Sequence, residues 1–283
     1  MGDRESTVRM RELGLALRRA LERAGLESKA VARELGWSPS KVSHVLRATR
    51  GVSERDVASI LAMARIRGDE RERLLELARR AHEPGWLQEF GGRLPPNLRT
   101  LIDHEDAAVA INSYQGLLVP GLLQVASYTR ALMSTSATIP PDEIEERVDA
   151  RIKRQEILDR RRPAIFRFFV DEYVLTRTGP GPEIMSEQLH HLLRMSVRPR
   201  IQFRVIPDAV GFHAAVVSSF VLMEFTEINP VLHLEPENTS VYPEGRKTIA
   251  GYQDILASLD TVALNPGQSR EWIARLAHKL GAP

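Results

Sequence analysis

Apolar residues recur every three or four positions along the first eighty residues, which is the period of an amphipathic helix. In Val8–Ala24, Leu13, Leu17 and Leu21 form a stripe that Met10 and Ala24 extend, and Gly25 closes the helix. Ala30, Val31 and Leu35 mark a second, shorter helix. Gly36 supplies the left-handed conformation that ends it. Ser38 is a favoured N-cap, and Pro39 falls at the first helical position, where its missing N–H costs nothing. Val42, Val45 and Leu46 then repeat at i, i+3 and i+4 and turn one face inward. The opposite face carries Ser40, Lys41, Ser43, His44 and Arg47, with no acid and no bulky apolar group. Ser53 caps a helix reaching about Ala64, with Val57, Ile60 and Leu61 inward and Glu54 and Asp56 at its positive end. Asp69–Ala81, with Leu74, Leu75 and Ala78, is a fifth helix.

Periodicity breaks between His82 and Glu105, where Pro84-Gly85, Gly91-Gly92 and Pro95-Pro96 cluster. We read residues 1–82 as an all-α domain, 83–104 as a linker or docking segment and 105–283 as a mixed α/β (α+β) domain. In the last part, Ala108–Ile111 fits strand or helix, and Leu117–Gln124 reads as a buried turn leading into a helix through Ala126, Tyr128 and Leu132. Pro141 and Asp142 open a helix running to Asp159, with Ile144, Val148 and Ile152 on one face and Asp149 set to pair with Lys153. Ala164–Asp171, Arg200–Ile206, Val217–Phe225 and Val231–Glu235 read as strands. Pro182–Met195, Lys247–Leu259 and Pro266–Leu280 read as helices, the last capped by Asn265.

Composition narrows the function. The chain has 283 residues, of which 43% are hydrophobic and 27% charged, as in a folded globular protein. It contains no cysteine, which excludes disulfides, thiolate zinc sites and a cysteine nucleophile. No apolar run reaches the ~20 residues of a membrane span, and the N-terminus lacks a signal-peptide core, so a cytoplasmic location is expected. The net charge of +2 conceals an asymmetry: residues 1–84 hold 18 Lys and Arg against 13 Asp and Glu, the remainder 21 against 24. A basic head on a slightly acidic body suits nucleic-acid binding by the head.

No phosphate-binding, nucleophile-elbow or zinc-protease motif occurs in the chain. His190 and His191 are adjacent and point to different sides of a helix, so they make no metal pair; a structural or surface role suits them and His213 and His233. Asp171-Glu172 end a strand, a position open to general acid–base work and to ordinary turn capping. Gly179–Pro182 is unsuited to cradling phosphate, because two of its four residues lack an N–H. Glu235 and Glu237 with Arg204 are the candidate lining of a ligand-sensing pocket. No enzyme activity, cofactor or metal is expected.

The polar face of the second short helix suits a major groove, although any helical hairpin is apolar inside and polar outside. The flanking helices add weight. The segment LGWSPSKVSHVLRATRGVSERDV, Leu35–Val57, resembles the phage-repressor-type (Cro/C1, XRE) helix-turn-helix family. The resemblance implies that Pro39, Ser40, Lys41 and His44 read bases and that Arg47, Thr49 and Arg50 lie near phosphates; Ala48 stands where the family often has glycine. Chemically, Lys41 can donate to guanine O6 or N7, Ser40 and Ser43 can donate or accept, His44 can do either by tautomer, and Pro39 can touch a thymine methyl. With Ser38 these residues form the candidate DNA-binding set.

The second half has its own resemblance. LLVPGLLQVASYTRALM, EIEERVDARIKRQEIL, RIQFRVIPDAVGFHAAVVSSFVLMEF and LNPGQSREWIARLAHKL are similar to the companion domain of WhiJ-like, antitoxin-like regulators of Streptomyces and relatives. This implies a transcriptional regulator of double-stranded DNA, with a small companion protein encoded nearby as a possible partner. A homodimer is expected, because one head reads only a few base pairs. The alternative is an antitoxin-like interaction module that uses DNA binding for autoregulation.

Overall fold

The computed structural model describes residues 8–47, 52–82, 96–160, 164–235, 240–243 and 245–281. The chain forms two compact units, residues 1–91 with 225–229 and residues 92–224 with 230–283.

The first unit is helical: α1 (Val8–Arg23), α2 (Ser28–Leu35), α3 (Pro39–Leu46), α4 (Glu54–Met63) and α5 (Gly68–His82). Each short connection has a local cause. Gly25, Gly36 and Gly68 all take positive φ, which allows the chain to turn sharply between helices. Ser38 and Ser53 sit in extended conformation at the N-caps of α3 and α4, and each accepts the N–H three residues on. One stripe from each helix meets in a single core that includes Leu13, Leu17, Val31, Val42, Val45, Ile60, Leu61 and Leu74. Ala24, expected on the α1 stripe, is exposed, because the helix ends at Arg23 before its next turn.

The second unit begins with α6 (Pro96–Ala107), so the stretch read as a linker is helical from Pro96 onward. It contains β1 (Ala110–Gln115), α7 (Ala126–Ser134), α8 (Ile144–Arg154), β2 (Ile165–Asp171), the short α9 (Glu172–Thr176), α10 (Pro182–Ser196), β3 (Ile201–Ile206), β4 (Phe220–Glu224), β5 (Val231–His233), α11 (Arg246–Val262) and α12 (Pro266–Gly281). The five strands lie in the order β3-β2-β1-β4-β5. β1, β2 and β3 are parallel, whereas β4 runs antiparallel to β1 and β5 antiparallel to β4. This is the expected α+β architecture. β1 is the central strand and is buried from Ile111 to Tyr114, which removes the alternation that would have marked it as a strand. Its Asn112 is buried, donates to the Glu224 carboxylate at 2.8 Å and accepts from Arg167 Nε at 2.6 Å. On one sheet face, Tyr114, Phe169, Leu222 and Leu232 pack with Ile249, Leu256 and Leu259 of α11.

Several local expectations change. β4 starts at Phe220, because turns at Ala215–Ser218 leave Val217 92% exposed. Leu117 and Leu118, expected inside a turn, are on the surface. On α8, Ile152 is exposed while Ala150 and Arg154 are buried, and Lys153 pairs with Glu156 at 3.1 Å instead of Asp149. At α12, Asn265 Oδ1 accepts Gln268 N–H at 2.9 Å and Gln268 Oε1 accepts Asn265 N–H at 3.0 Å, a reciprocal cap.

Candidate nucleic-acid interface

The turn between α2 and α3 is set by backbone bonds. Gly36, at φ 63°, closes α2, and Trp37 N–H reaches back to Ala32 O at 2.8 Å. Ser38 Oγ then accepts Lys41 N–H at 3.1 Å, with Pro39 at the first helical position. Val42, Val45 and Leu46 are buried and fix the roll of α3 about its axis. Arg18 of α1 donates to Leu46 O at 2.7 Å and so satisfies a carbonyl at the end of α3. The helix is therefore held at its start, along one side and at its end. Pro39, Ser40, Lys41, His44 and Arg47 are left exposed on one surface.

The predicted contact residues differ in how far they are already engaged. Ser38 Oγ is occupied as the cap. Ser43, half-buried, accepts from Arg47 Nη2 at 2.8 Å, which lays the Arg47 guanidinium back along the helix. Thr49 and Arg50 lie outside the described residues. Lys41 Nζ pairs with Asp56 Oδ1 of α4 at 2.8 Å and sits 4.1 Å from the centroid of the Trp37 ring. Asp56 also accepts from Ser53 Oγ at 2.8 Å while its N–H donates to that same oxygen at 3.1 Å. The Lys41 and Ser53 bonds outweigh partial burial and hold the Asp56 carboxyl below the usual carboxylate range. Sequence reasoning placed Asp56 at the start of α4 but missed its reach to Lys41. The bond from Arg18 to Leu46 O is likewise one that sequence spacing does not show. Neither link is local, so no spacing rule reveals it.

The second unit holds an ion pair inside. Glu105 of α6 is 4% exposed and meets Arg154 Nε of α8 at 3.1 Å. Burial raises the Glu105 carboxyl despite this partner. Arg151 donates to Gln124 Oε1 at 2.8 Å; burial and the adjacent Arg154 push its pKa down to about 10. The Val119–Gln124 turn is held by side-chain amides: Gln124 donates to Val119 O, Gln155 to Gly121 O and Gln124 O, and Gln188 to Leu123 O, at 2.7–3.1 Å. Tyr242 stacks between His104 and His233, with ring centroids 5.2 and 4.9 Å away.

The ligand pocket expected from Arg204, Glu235 and Glu237 does not assemble. Arg204 is on β3, at one edge of the sheet, and donates to Asp260 Oδ1 at 2.6 Å and Ala263 O at 2.6 Å at the end of α11. Glu235 follows β5 at the other edge. Four strand spacings of about 4.8 Å put those edges roughly 19 Å apart. Glu237 lies outside the described residues. Asp171, at the end of β2, accepts Tyr114 Oη at 2.9 Å and faces His213 Nε2 at 3.2 Å, while His213 Nδ1 accepts Ala215 N–H at 3.3 Å. His213 thus links its loop to the strand end. His190 Nδ1 meets Ser186 O at 2.8 Å within its own helix, and burial lowers the pKa of its neighbour His191. Among the described residues, no group of three or more His, Asp or Glu is placed to hold a metal ion.

A short helix pair locked by a glycine turn and a capped proline start defines a helix-turn-helix domain, and residues 12–74 match the DNA-binding class described as "Helix-turn-helix domain". Residues 98–275 match "Domain of unknown function (DUF5753)"; the match spans more than half of the chain, which belongs to that family. Neither a curated protein nor a solved structure gives a significant match. No helix among the described residues is long and apolar enough to cross a membrane.

Proposed function

We propose that the protein is a sequence-specific, cytoplasmic transcriptional regulator, with α3 as its recognition helix. The observation that carries this reading is the presentation of α3. Val42, Val45 and Leu46 anchor one side of it in the core, while Pro39, Ser40, Lys41 and His44 stand together on the exposed side. Those side chains can donate to or accept from base edges, or contact a thymine methyl. The finer likeness to Cro/C1-type and WhiJ-like regulators supports the same reading. In it, the chain is a DNA-binding switch rather than an enzyme.

Fluorescence anisotropy tests the proposal, using duplex DNA from upstream of the protein's own gene, a scrambled duplex and a salt series. The expected result is a preference for the upstream duplex that the triple substitution Ser40→Ala/Lys41→Ala/His44→Ala abolishes. The logarithmic salt slope, about 0.9 per phosphate neutralised, then sizes the backbone footprint. Equal affinity of the wild type for both duplexes, unchanged by the triple substitution, sinks the assignment.

In the same reading, the second unit joins two chains so that two heads meet half-sites related by a dyad. Support comes from apolar side chains exposed on the segments that follow β1, β2 and β3: Leu117, Tyr173 of α9, Phe212 and Val217 are 50–95% exposed. Sedimentation velocity is expected to show a dimer. A monomer that co-purifies with a small companion protein instead supports the antitoxin-like reading.

A further inference from the structure

Lys41 is the strongest candidate donor on the recognition helix, and it is not a free cation. Its ammonium is 2.8 Å from Asp56 Oδ1 and 4.1 Å from the Trp37 ring centroid. The lysine is 43% exposed, so the pair stands on the surface that carries the other predicted contacts. Asp56 is fixed more firmly than the lysine. It is 18% exposed, belongs to the first turn of α4 and is held by Ser53 through two hydrogen bonds. A lysine ammonium is ordinarily a hydrated point charge on a flexible four-carbon stem that samples many rotamers. Here the carboxylate in front and the indole beneath restrict it. An ammonium has three donors; the bond to Asp56 engages one and leaves others for a base edge. The carboxylate also sets a negative charge beside the cation, which weakens attraction to phosphate at any sequence.

We propose that Asp56 is a specificity-determining positioning residue that holds Lys41 for base reading and suppresses its contribution to sequence-independent binding. The inference rests on the DNA-binding reading of α3. It adds that part of the reader's selectivity resides on α4, outside the recognition helix.

The test is selection of duplexes from a random library by the full-length protein, run in parallel for the wild type, Lys41→Ala, Asp56→Asn, Asp56→Glu and Ser53→Ala. The wild type is expected to select a motif containing one position that Lys41→Ala randomises. Asp56→Asn, which preserves size and polar capping, is expected to randomise that same position and keep the rest. It is also expected to bind a scrambled duplex several-fold more tightly, with a steeper salt dependence. Asp56→Glu restores the charge and is expected to recover at least part of the preference. Ser53→Ala removes the helix cap and loosens Asp56 but leaves the ion pair, so it is expected to weaken the preference at that position less than Asp56→Asn does. An Asp56→Asn motif identical to that of the wild type overturns the inference while the DNA-binding reading stands. A wild type that selects no motif at all overturns both.

Discussion

An ion pair from each unit shows how differently solvent treats the same chemistry. In the helix-turn-helix unit, the Lys41–Asp56 pair on α3 and α4 is partly solvated. In the DUF5753 unit, Glu105 and Arg154 are withdrawn from water and face one another at 3.1 Å. A surface pair contributes little to stability and is available to a ligand. A buried pair that loses one member leaves an uncompensated charge in a low-dielectric interior. The difference teaches that ion pairs must be judged by their solvent: the Lys41–Asp56 pair can present donors, whereas the Glu105–Arg154 pair fixes a fold.

The largest effect is expected from breaking the buried pair. Glu105→Ala should destabilise the full chain by about 3–5 kcal/mol in urea unfolding, because Arg154 is left buried without its counter-charge. Replacing both, as Glu105→Leu/Arg154→Met, should cost less than the single change. A double variant as unstable as the sum of its parts breaks the comparison.

Next in size is Gly116→Ala in the loop after β1. An added Cβ would lie 2.7 Å from Tyr114 Oη, which is pinned by its bond to Asp171. Overpacking of this kind costs about 1–3 kcal/mol, and thermal denaturation should register it. Neutral behaviour would show that the Tyr114–Asp171 lock yields. Ser53→Ala removes the α4 cap and should cost about 1 kcal/mol, with hydrogen exchange accelerated chiefly at the N–H groups of α4's first turn. Asp56→Asn, at the surface pair, should change stability by under about 1 kcal/mol; a larger loss would mean that the pair is structural.

A pH titration sharpens the contrast. Burial lowers the pKa of His233 and His191 below the ordinary value of 6.5. The unfolded chain then binds more protons than the folded one below that value, so stability falls as pH drops from 6.5 toward the folded-state pKa values. Glu105, with a raised pKa, acts in the other direction: its ionisation opposes folding as pH rises above 4.5. His233→Gln should therefore flatten the decline in melting temperature just below pH 6.5. An unchanged slope would remove His233 as its source.

Legibility followed the same division. Helix periodicity, Gly36, Ser38-Pro39 and Ser53 carry local rules that act within a few residues, so α1 to α5 and the exposed side of α3 could be read directly. β2, β3 and α12 were equally plain, because Ile201, Phe203 and Val205 alternate with polar residues and Asn265 caps a regular helix. β1 escaped because a central strand buried on both faces shows no alternation. Arg204 was misassigned because a charged residue on a strand looks the same in sequence whether it lines a pocket or closes the end of a helix.

The chain's sequence alone determined the class of the head, the division into a helical and a mixed part, and the identity of the exposed side chains on α3. These follow from period, turn chemistry and capping, which are short-range. Only the tertiary structure decided that Lys41 is gripped by Asp56 and Trp37, that Arg18 closes α3, and that Glu105 meets Arg154 49 positions away. Such pairings depend on which helix faces come together, and the free energy of a charge depends on how much water the fold leaves around it.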